Sequence, residues 1–513
     1  MHVRDFSIDK SGNFCYKGRF LAFVEKGVIN AAGDKIGIDH LKELGVTHVH
    51  LMPSFDYQTV DETRLNVPQF NWGYDPQNFN CPEGSYSTNP YDGRARVAEF
   101  KRLVHALHCQ GIRVIMDVVY NHTYATADSP FNKIFNKYYY RLWGENGEYF
   151  SNGSGCGNEI ATERFMVRKY IIDSLVYWAT EFKIDGFRFD LMGLYDIETM
   201  NKIDETLHAI NPDIILYGEG WTGGDSPLAD SKRAMKLNAR HTPNIAFFSD
   251  DFRDTIKGNN FENRSRGYVN GATGSEEYVK EVMCGRIPHP QIPNLTKFAW
   301  TLSPCQTVNY VEAHDNLTLW DKLIYTNPTD SLDTRKKMDK MAAACVFLAQ
   351  GIPFIQAGQD FLRSKPLPGG AYDHNSYNSP DAVNSLKWDR KSEFRDVFDY
   401  YKGLIEFRKA HSALRMFTAE DIGRNMKFFD HLPQRIVGFG LYGDCELEEI
   451  IVFFNPTNDD ITLHAFGEYN VYIDGDNAGN KPLYTVCDDY IIKPHSTMVM
   501  GRPYPKPEEE AAE

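Results

Sequence analysis

The chain has 513 residues, of which 42% are hydrophobic and 24% are charged, and its formal net charge is −15. This length exceeds that of one ordinary domain and suits a large barrel with one further module. The negative charge disfavours nucleic acid and anionic membranes as partners, and the chain has no apolar run of about 18 residues, so we expect no membrane-spanning helix.

Short apolar runs recur along the first four fifths of the chain, and most of them are almost continuously apolar. Such runs are typical of parallel strands that helices cover on the outside. In chain order the predicted strands are HVRDFS at the start, VTHVHLMP (46–53), RVIMDVVY (113–120), GFRFDLMG (186–193), ILYGEGW (215–221), NIAFFSDDF (244–252), VNYVEAHDN (308–316) and IPFIQAGQDF (352–361).

Helical patterns lie between these runs. Apolar residues recur at three- and four-residue spacing over 97–107 and 171–182, and a third pattern extends from about Asp333 to Gln350. Eight strands that alternate with helices predict the α/β class and a (β/α)₈ TIM barrel. An open, doubly wound sheet is the alternative.

The predicted domains follow from where this alternation breaks. We place the barrel at 1–411, with an incomplete first strand, and a loop-rich insertion at about 123–162, after the third strand. Short strands and turns over 412–503 predict a C-terminal antiparallel β-sandwich. The acidic, proline-containing tail, 504–513, is predicted to be disordered.

The nine cysteines show no metal-type CxxC spacing, and an odd number cannot pair fully within one chain. Free thiols in a reducing compartment are therefore expected. The N-terminal residues MHVRDFSIDK contain no apolar signal region. We predict a cytoplasmic monomer, although the short N-terminus leaves secretion open.

Polar residues stand at the predicted ends of several strands, where barrel enzymes carry their catalytic groups. These residues are Asn121, His122, Arg188, Asp190, Glu219, His314 and Asp315. Charged residues seldom lie in buried strands unless they are paired or functional. Structural ion pairs and a metal site are the alternatives, but no HxxxH or HExxH spacing supports a metal site.

Two carboxyl groups on neighbouring strands suit glycoside hydrolysis, which needs one acid at the leaving oxygen and one carboxylate at the anomeric carbon. Asp190 and Glu219 follow the fourth and fifth strands, and a separation of about 5–5.5 Å would give retention of configuration. Arg188, two residues before Asp190, would keep that carboxylate ionised. Trp221 is an apolar neighbour that would help raise the pKa of Glu219.

Four segments resemble, in order, the four signature regions of the α-amylase superfamily: DVVYNH (117–122), GFRFDLMG (186–193), YGEGW (217–221) and VEAHDN (311–316). The resemblance covers about 37–411. Within that superfamily, FNWGYDP (70–76) and SNGSGCGNEIATERFMVRKYIIDS (151–174) resemble type I pullulanases. Members of that group usually carry β-sandwich modules before the barrel. We expect these modules and the start of the first strand to be missing here, which would make the protein fragile.

The resemblance implies a role for each matching residue. Asp190 matches the nucleophile, Glu219 the general acid/base and Asp315 the third carboxylate, which binds the −1 sugar hydroxyls. His122 and His314 match hydrogen-bond donors to that sugar, and Arg188 matches the residue that orients the nucleophile. Further substrate-binding positions are Tyr74 as an aromatic platform, Asp75 beside it, Trp221 on the leaving-group side, and Asn375 and Tyr377 along the cleft.

The implied function is hydrolysis of α-1,6-glucosidic branch links in pullulan and in limit dextrins of starch or glycogen, through a covalent glycosyl-enzyme. The partner is thus an α-glucan polysaccharide or oligosaccharide. The alternatives are an isoamylase-like or α-1,4-acting enzyme of the same superfamily, a transglycosylating enzyme, and an inactive carbohydrate-binding homologue. No cofactor is required and no residue is assigned to a metal, while Ca²⁺ is left open.

Overall fold

The structure is a computed structural model, and it describes residues 1–293 and 299–505. Most of the predicted disordered tail, 506–513, lies outside the described residues. The strands, in chain order, are β1 (His48–Leu51), β2 (Phe55–Tyr57), β3 (Pro76–Pro82), β4 (Arg113–Val118), β5 (Leu142–Trp143), β6 (Tyr149–Phe150), β7 (Gly186–Phe189), β8 (Ile215–Gly218), β9 (Ala246–Phe248), β10 (Thr307–Asn309), β11 (Ile352–Pro353), β12 (Met426–Phe428), β13 (Val437–Tyr442), β14 (Leu447–Asn455), β15 (Ile461–Ile473), β16 (Tyr484–Ile492) and β17 (Ser496–Pro503).

The α-helices connect and cover these strands. They are α1 (Val3–Ser7), α2 (Ile38–Leu44), α3 (Gly93–His108), α4 (Pro130–Ile134), α5 (Phe165–Glu181), α6 (Ile197–Ile210), α7 (Asp250–Lys257), α8 (Glu276–Met283), α9 (Leu319–Thr326), α10 (Leu332–Leu348), α11 (Asp381–Asn384), α12 (Asp389–Glu393), α13 (Arg395–Ala410) and α14 (Ala419–Asn425). The three predicted helices correspond to α3, α5 and α10. Within the described residues, none of the helices combines the length and apolar character needed to cross a lipid bilayer.

Seven strands form one parallel sheet in the order β1-β4-β7-β8-β9-β10-β11. They are the second to eighth predicted strands, in chain order. Each strand neighbours the preceding one, as in the wall of a (β/α) barrel, whereas a doubly wound sheet reverses its order at a switch point. The predicted barrel fold is therefore confirmed, and the doubly wound alternative is wrong.

The prediction for the first strand is wrong, because Val3–Ser7 form the helix α1. The His2 side chain caps this helix by accepting a hydrogen bond from the Asp5 amide. Met1 alone lies alongside β1: its nitrogen donates to the His50 carbonyl at 2.6 Å, and the Met52 amide donates to the Met1 carbonyl at 2.9 Å.

Helix α1 instead connects the two edges of the parallel sheet. The Leu386 amide donates to the Asp5 carbonyl at 2.9 Å, and the Trp388 indole donates to the Phe6 carbonyl at 2.8 Å. Arg4 forms a bidentate pair with Asp381, with both bonds at 2.7 Å. These bonds join the segment after β11 to the segment before β1.

The C-terminal β domain is confirmed as antiparallel. Its strands form one six-stranded sheet in the order β12-β13-β14-β17-β15-β16. Along β14 alternate side chains enter different clusters, as expected for a strand with a two-residue period. Val452 and Phe454 pack into the core that includes α10 and α13, whereas Ile451 and Phe453 face a smaller cluster within this domain.

The insertion after the third predicted strand, which is β4, contains α4 and the β5–β6 hairpin. Its later part reaches the segment that follows β8, since the Gly224 amide donates to the Gly153 carbonyl at 2.8 Å. A side chain at Gly223 would collide with the Ser154 carbonyl at 2.3 Å, so glycine is needed for this close approach. The insertion thus forms a wall at the carboxyl end of the sheet.

Candidate active site

The strand-end residues meet at one end of the parallel sheet. On β4, Asp117 pairs in register with Arg188 of β7. Asp190 and Glu219 directly follow β7 and β8, whose last residues pair in register. Because neighbouring parallel strands end at the same edge, the sequence positions of these residues are sufficient to bring them together.

Arg188 lies at the centre of this group and is only 2% exposed. Its Nη1 donates to Asp117 Oδ1 at 2.8 Å and to Asp190 Oδ1 at 2.9 Å. Its Nη2 lies 2.7 Å from Glu219 Oε1. One guanidinium thus pairs with three buried carboxyl groups, and this fixed fork places the side chains of Asp190 and Glu219 on its two terminal nitrogens.

The pKa values of these carboxyl groups differ because one cation cannot compensate all three. Burial raises the pKa of Asp190 to about 6, against the opposing effect of Arg188. Burial raises the pKa of Glu219 to about 8, and the negative charges of Asp190 and Asp315 act in the same direction. Burial also acts to raise the pKa of Asp117, but Arg188 and His50 outweigh it and hold that pKa at about 2. Near neutral pH, Asp190 is therefore ionised and Glu219 holds a proton.

Two further contacts fix the pair. The Asn121 amide nitrogen donates to the Asp190 carbonyl and to Asp190 Oδ2, both at 2.8 Å. The Leu191 amide donates to Glu219 Oε2 at 2.9 Å. Leu191 has a φ of +39°, a left-handed conformation that is strained for a leucine, so the chain turns sharply where it leaves the nucleophile candidate.

Asp315 differs from the other two carboxylates because it lies on a loop. β10 ends at Asn309, although the sequence predicted a strand as far as residue 316. The Asp315 side chain is 52% exposed, and its Oδ2 lies 3.5 Å from His314 Nε2. Burial lowers the pKa of His314 to about 4, so its imidazole is neutral.

Aromatic rings flank His314. Tyr74 stacks on it at 5.0 Å between centroids, and Trp72 approaches edge-on at 4.9 Å. The Tyr74 hydroxyl donates to Asp117 Oδ2 at 2.7 Å, and the Arg188 guanidinium lies 5.6 Å from the Tyr74 ring. Tyr74 therefore lies at the carboxylate cluster, as its predicted role requires.

His122 lies beside this group and is buried. Its Nε2 is 2.8 Å from the Tyr74 carbonyl, and its Nδ1 contacts the Asn121 side-chain oxygen. Burial lowers the pKa of His122 to about 4, and a neutral imidazole can donate to only one of these two acceptors. In this structure His122 orients its neighbours, and its predicted bond to a sugar stays a prediction.

The other predicted binding residues lie around the rim. Asp75 Oδ2 accepts a hydrogen bond from the Thr59 amide at 2.7 Å, so its carboxylate caps a turn. Trp221 is half-buried against the cluster that includes Tyr217. Tyr377 is 44% exposed and its ring lies 6.4 Å from Trp72, while Asn375 is exposed on the same loop.

Several residues that build the site were not assigned roles from the sequence. Asp117 and Asn121 stand inside the DVVYNH motif, and Asp117 lies in register with Arg188, but their partners are visible only in three dimensions. His50, on β1, donates a hydrogen bond from its Nε2 to Asp117 Oδ2 at 3.0 Å. Lys365 and Trp72 reach the same region from separate loops.

The side chain of Asn121, the position at which the sequence left calcium open, has protein partners in this structure. The Asn121 amide is engaged by Asp190 and His122. Among the described residues, one carboxylate group, Asp56, Glu62 and Glu83, brings its ligand atoms within 4.8 Å of one another. Arg96 pairs with two of its members, so a guanidinium already supplies positive charge there.

Comparisons with known proteins agree with this geometry. A family profile described as "Alpha amylase, catalytic domain" matches residues 16–144. The chain is 40% identical to the pullulanase of Bacillus subtilis (strain 168) over 467 residues, which is 90% of this chain and 62% of that protein. It is 32% identical to pullulanase A of Streptococcus pneumoniae over 475 residues, or 82% of this chain and 35% of that protein. The chain therefore spans less than two thirds of the length of these curated relatives.

Solved structures give the same result. A pullulanase from Paenibacillus barengoltzii in complex with maltohexaose and α-cyclodextrin is 41% identical, with a TM-score of 0.91, over 98% of this chain and 76% of that one. A type I pullulanase from Bacillus subtilis complexed with maltose is 37% identical, with a TM-score of 0.92, over 98% of this chain and 69% of that one.

Proposed function

The chain belongs to the type I pullulanase family of the α-amylase superfamily, and we propose that it is a retaining glycoside hydrolase of α-1,6-glucosidic links in pullulan and limit dextrins. The observation that carries this proposal is Arg188, which pairs with both Asp190 and Glu219. It sets two carboxyl groups with different pKa values at one place, as a double-displacement mechanism needs. The complexes of the relatives with maltooligosaccharides support an α-glucan substrate.

In the first step, an Asp190 carboxylate oxygen attacks the anomeric carbon and the bond to the leaving oxygen breaks. Glu219 transfers its proton to that oxygen, so the leaving chain departs as a neutral alcohol. The positive charge of Arg188 keeps Asp190 ionised, while burial keeps the proton on Glu219. The product of this step is a glycosyl-enzyme ester at Asp190.

In the second step, water replaces the departed alcohol. Glu219, now a carboxylate, takes a proton from the water while the water oxygen attacks the anomeric carbon and displaces Asp190. Asp315 would bind hydroxyls of the sugar held between them, and the Tyr74 ring would support its apolar face. The steps use only side chains and water, so we propose that the reaction requires no cofactor.

The exposed thiols support a cytoplasmic location. All nine cysteines are unpaired, and six of them are exposed: Cys15, Cys109, Cys156, Cys305, Cys445 and Cys487. Exposed thiols persist where the medium is reducing. We propose a cytoplasmic protein that works as a monomer, since one chain supplies every residue of the site.

The test is digestion of pullulan, with chromatographic identification of products and an Asp190→Asn control. We expect maltotriose as the main product, and loss of several orders of magnitude in rate in the control because the nucleophile is removed. Panose or isopanose would instead show cleavage of α-1,4 links. No product from a folded wild-type sample would refute the proposal and favour a carbohydrate-binding role.

A further inference from the structure

The contacts of the Asp315 side chain do not explain its orientation, whereas those of Asp190 and Glu219 do. Asp190 and Glu219 are held by Arg188, but the Asp315 side chain is half exposed, with His314 as its near neighbour at 3.5 Å. It also lies six residues beyond the end of β10. Its direction is therefore set by the backbone of the loop that carries it.

A buried lysine contacts that backbone directly. Lys365 Nζ donates to the His314 carbonyl at 2.6 Å, which is the peptide group that leads into Asp315. Lys365 is 1% exposed, and its ammonium lies 5.3 Å from the centre of the Trp72 ring. The same Trp72 packs edge-on against His314.

The backbone of Lys365 is fixed as well. The Lys365 amide donates to Asp321 Oδ2 at 2.8 Å, and the Ser364 hydroxyl donates to the other oxygen of Asp321. The Asp373 amide donates to the Lys365 carbonyl at 2.8 Å. The ammonium thus projects from a braced backbone and can hold the His314 peptide in one orientation.

A buried ammonium is costly, and a neutral or apolar residue would fill this space at a lower cost. Burial lowers the pKa of Lys365 to about 8, with Arg363 acting in the same direction, so the ammonium form still predominates near neutral pH. A charged donor gives the stronger, shorter bond to a carbonyl. A buried charge that donates to the backbone of a candidate catalytic loop is therefore suited to fixing the geometry of that loop.

We propose that Lys365 is a positioning residue: it fixes the His314–Asp315 peptide and so directs the Asp315 carboxylate toward the sugar at Asp190 and Glu219. This inference rests on the proposed glycosidase function. Lys365 would touch neither the substrate nor the reacting atoms, and its effect would pass through Asp315.

The main variant is Lys365→Met, which keeps the length of the side chain and removes the donor. On pullulan we expect kcat to fall by about 10- to 100-fold, because a small displacement of a catalytic group has an effect of this size, while KM changes by less than about twofold. Lys365→Arg, which keeps a charged donor, should recover part of the loss. If Lys365→Met fails to fold, Lys365→Leu, which also lacks a donor, serves in its place.

A matched control separates this role from the general cost of losing a buried lysine. Lys391 is also fully buried, and its Nζ donates to the Lys35 carbonyl and pairs with Glu43, both at 2.8 Å. Lys391→Met should lower the melting temperature and leave kcat of the folded enzyme unchanged. Equal losses of kcat in both variants would overturn the inference.

The decisive measurement is a double-mutant cycle with Asp315→Asn. If Lys365 acts through Asp315, adding Lys365→Met to Asp315→Asn should change kcat by less than about threefold. Additive losses would overturn the inference, as would an unchanged kcat in Lys365→Met. If the wild-type protein itself fails to cleave pullulan, the proposed function is refuted, and that result is distinct from either outcome of the cycle.

Discussion

The three carboxylates proposed to be catalytic are held in place in two different ways. Asp190 and Glu219 directly follow strands, and both residues are buried, with exposed fractions of 8% and 6%. Both pair with the guanidinium of Arg188. Asp315 lies on a loop, is half exposed, and depends on a backbone held from a distance by Lys365. The strand-borne pair is fixed by register, whereas the loop-borne carboxylate is fixed by packing around its backbone.

The difference matches what each group is proposed to do. Asp190 and Glu219 need pKa values on either side of neutral pH, and burial around a shared cation produces them. Asp315 has to meet a sugar that enters from solvent, and an exposed side chain on a braced loop suits that task. Perturbing the shared cation should therefore affect rate and titration together, while perturbing the loop should affect rate alone.

The largest effect is expected for Arg188→Met. It leaves three buried carboxyl groups without a cation, so the pKa of Asp190 should rise further and less of the nucleophile should be ionised near neutral pH. We expect kcat/KM to fall by about 10³-fold and the acidic limb of its pH profile to move to higher pH. Arg188→Lys should recover little, since one ammonium cannot reproduce the fork to three partners. An unmoved acidic limb would contradict this account.

Arg188→Met also tests how protonation of the buried carboxyl groups affects the stability of the folded state. In the wild type, Asp190 and Glu219 already bind protons more tightly than they do in the unfolded chain, and without Arg188 the pKa values of the buried carboxyl groups rise further, so the folded variant loses more stability than the wild type as pH rises. The difference in melting temperature between wild type and Arg188→Met should therefore grow from about pH 5 to about pH 8. A constant difference would show that these groups are already neutral in the wild type.

A smaller and more selective effect is expected for Glu219→Gln. In the wild type, kcat/KM should rise with pH as Asp190 ionises near 6 and fall as Glu219 loses its proton near 8. In Glu219→Gln the alkaline limb should disappear. Activity on pullulan should fall by about 10²-fold, while an aryl glycoside with a good leaving group should lose only about tenfold in its glycosylation rate. Equal losses on both substrates would count against the acid role.

The sequence was sufficient for the parts of the structure that depend on local pattern. Apolar runs located seven strands of the parallel sheet in order, and the residues at their ends identified Asp190, Glu219 and Arg188. Register between neighbouring strands then brought these residues together without any further information. For Asp190 and Glu219, the position in the sequence, directly after a strand, therefore determines the position in the structure.

The parts that depend on distant packing could not be predicted. HVRDFS resembles the end of a strand, yet it forms α1, which is held by the Trp388 indole and the Leu386 amide from about 380 residues away. VEAHDN reads as a strand end, but the strand stops at Asn309. Lys365 looks like an ordinary surface lysine in FLRSKP, and only the fold reveals its burial against Trp72.

The smallest effect should come from Asn316, the residue that follows Asp315 in the loop. Asn316 has a φ of +63°, a left-handed conformation that asparagine tolerates better than alanine, and its side chain accepts a hydrogen bond from Asn260 at 2.5 Å. Asn316→Ala should cost about 1 kcal/mol of stability and lower kcat by about threefold, with both limbs of the pH profile unmoved. Asn316→Gly keeps the backbone conformation and Asn260→Ala removes only the hydrogen bond, so together they separate the two contributions. A shifted pH limb in Asn316→Ala would mean that the loop also controls the titration of the buried pair, and the two modes of support would then not be independent.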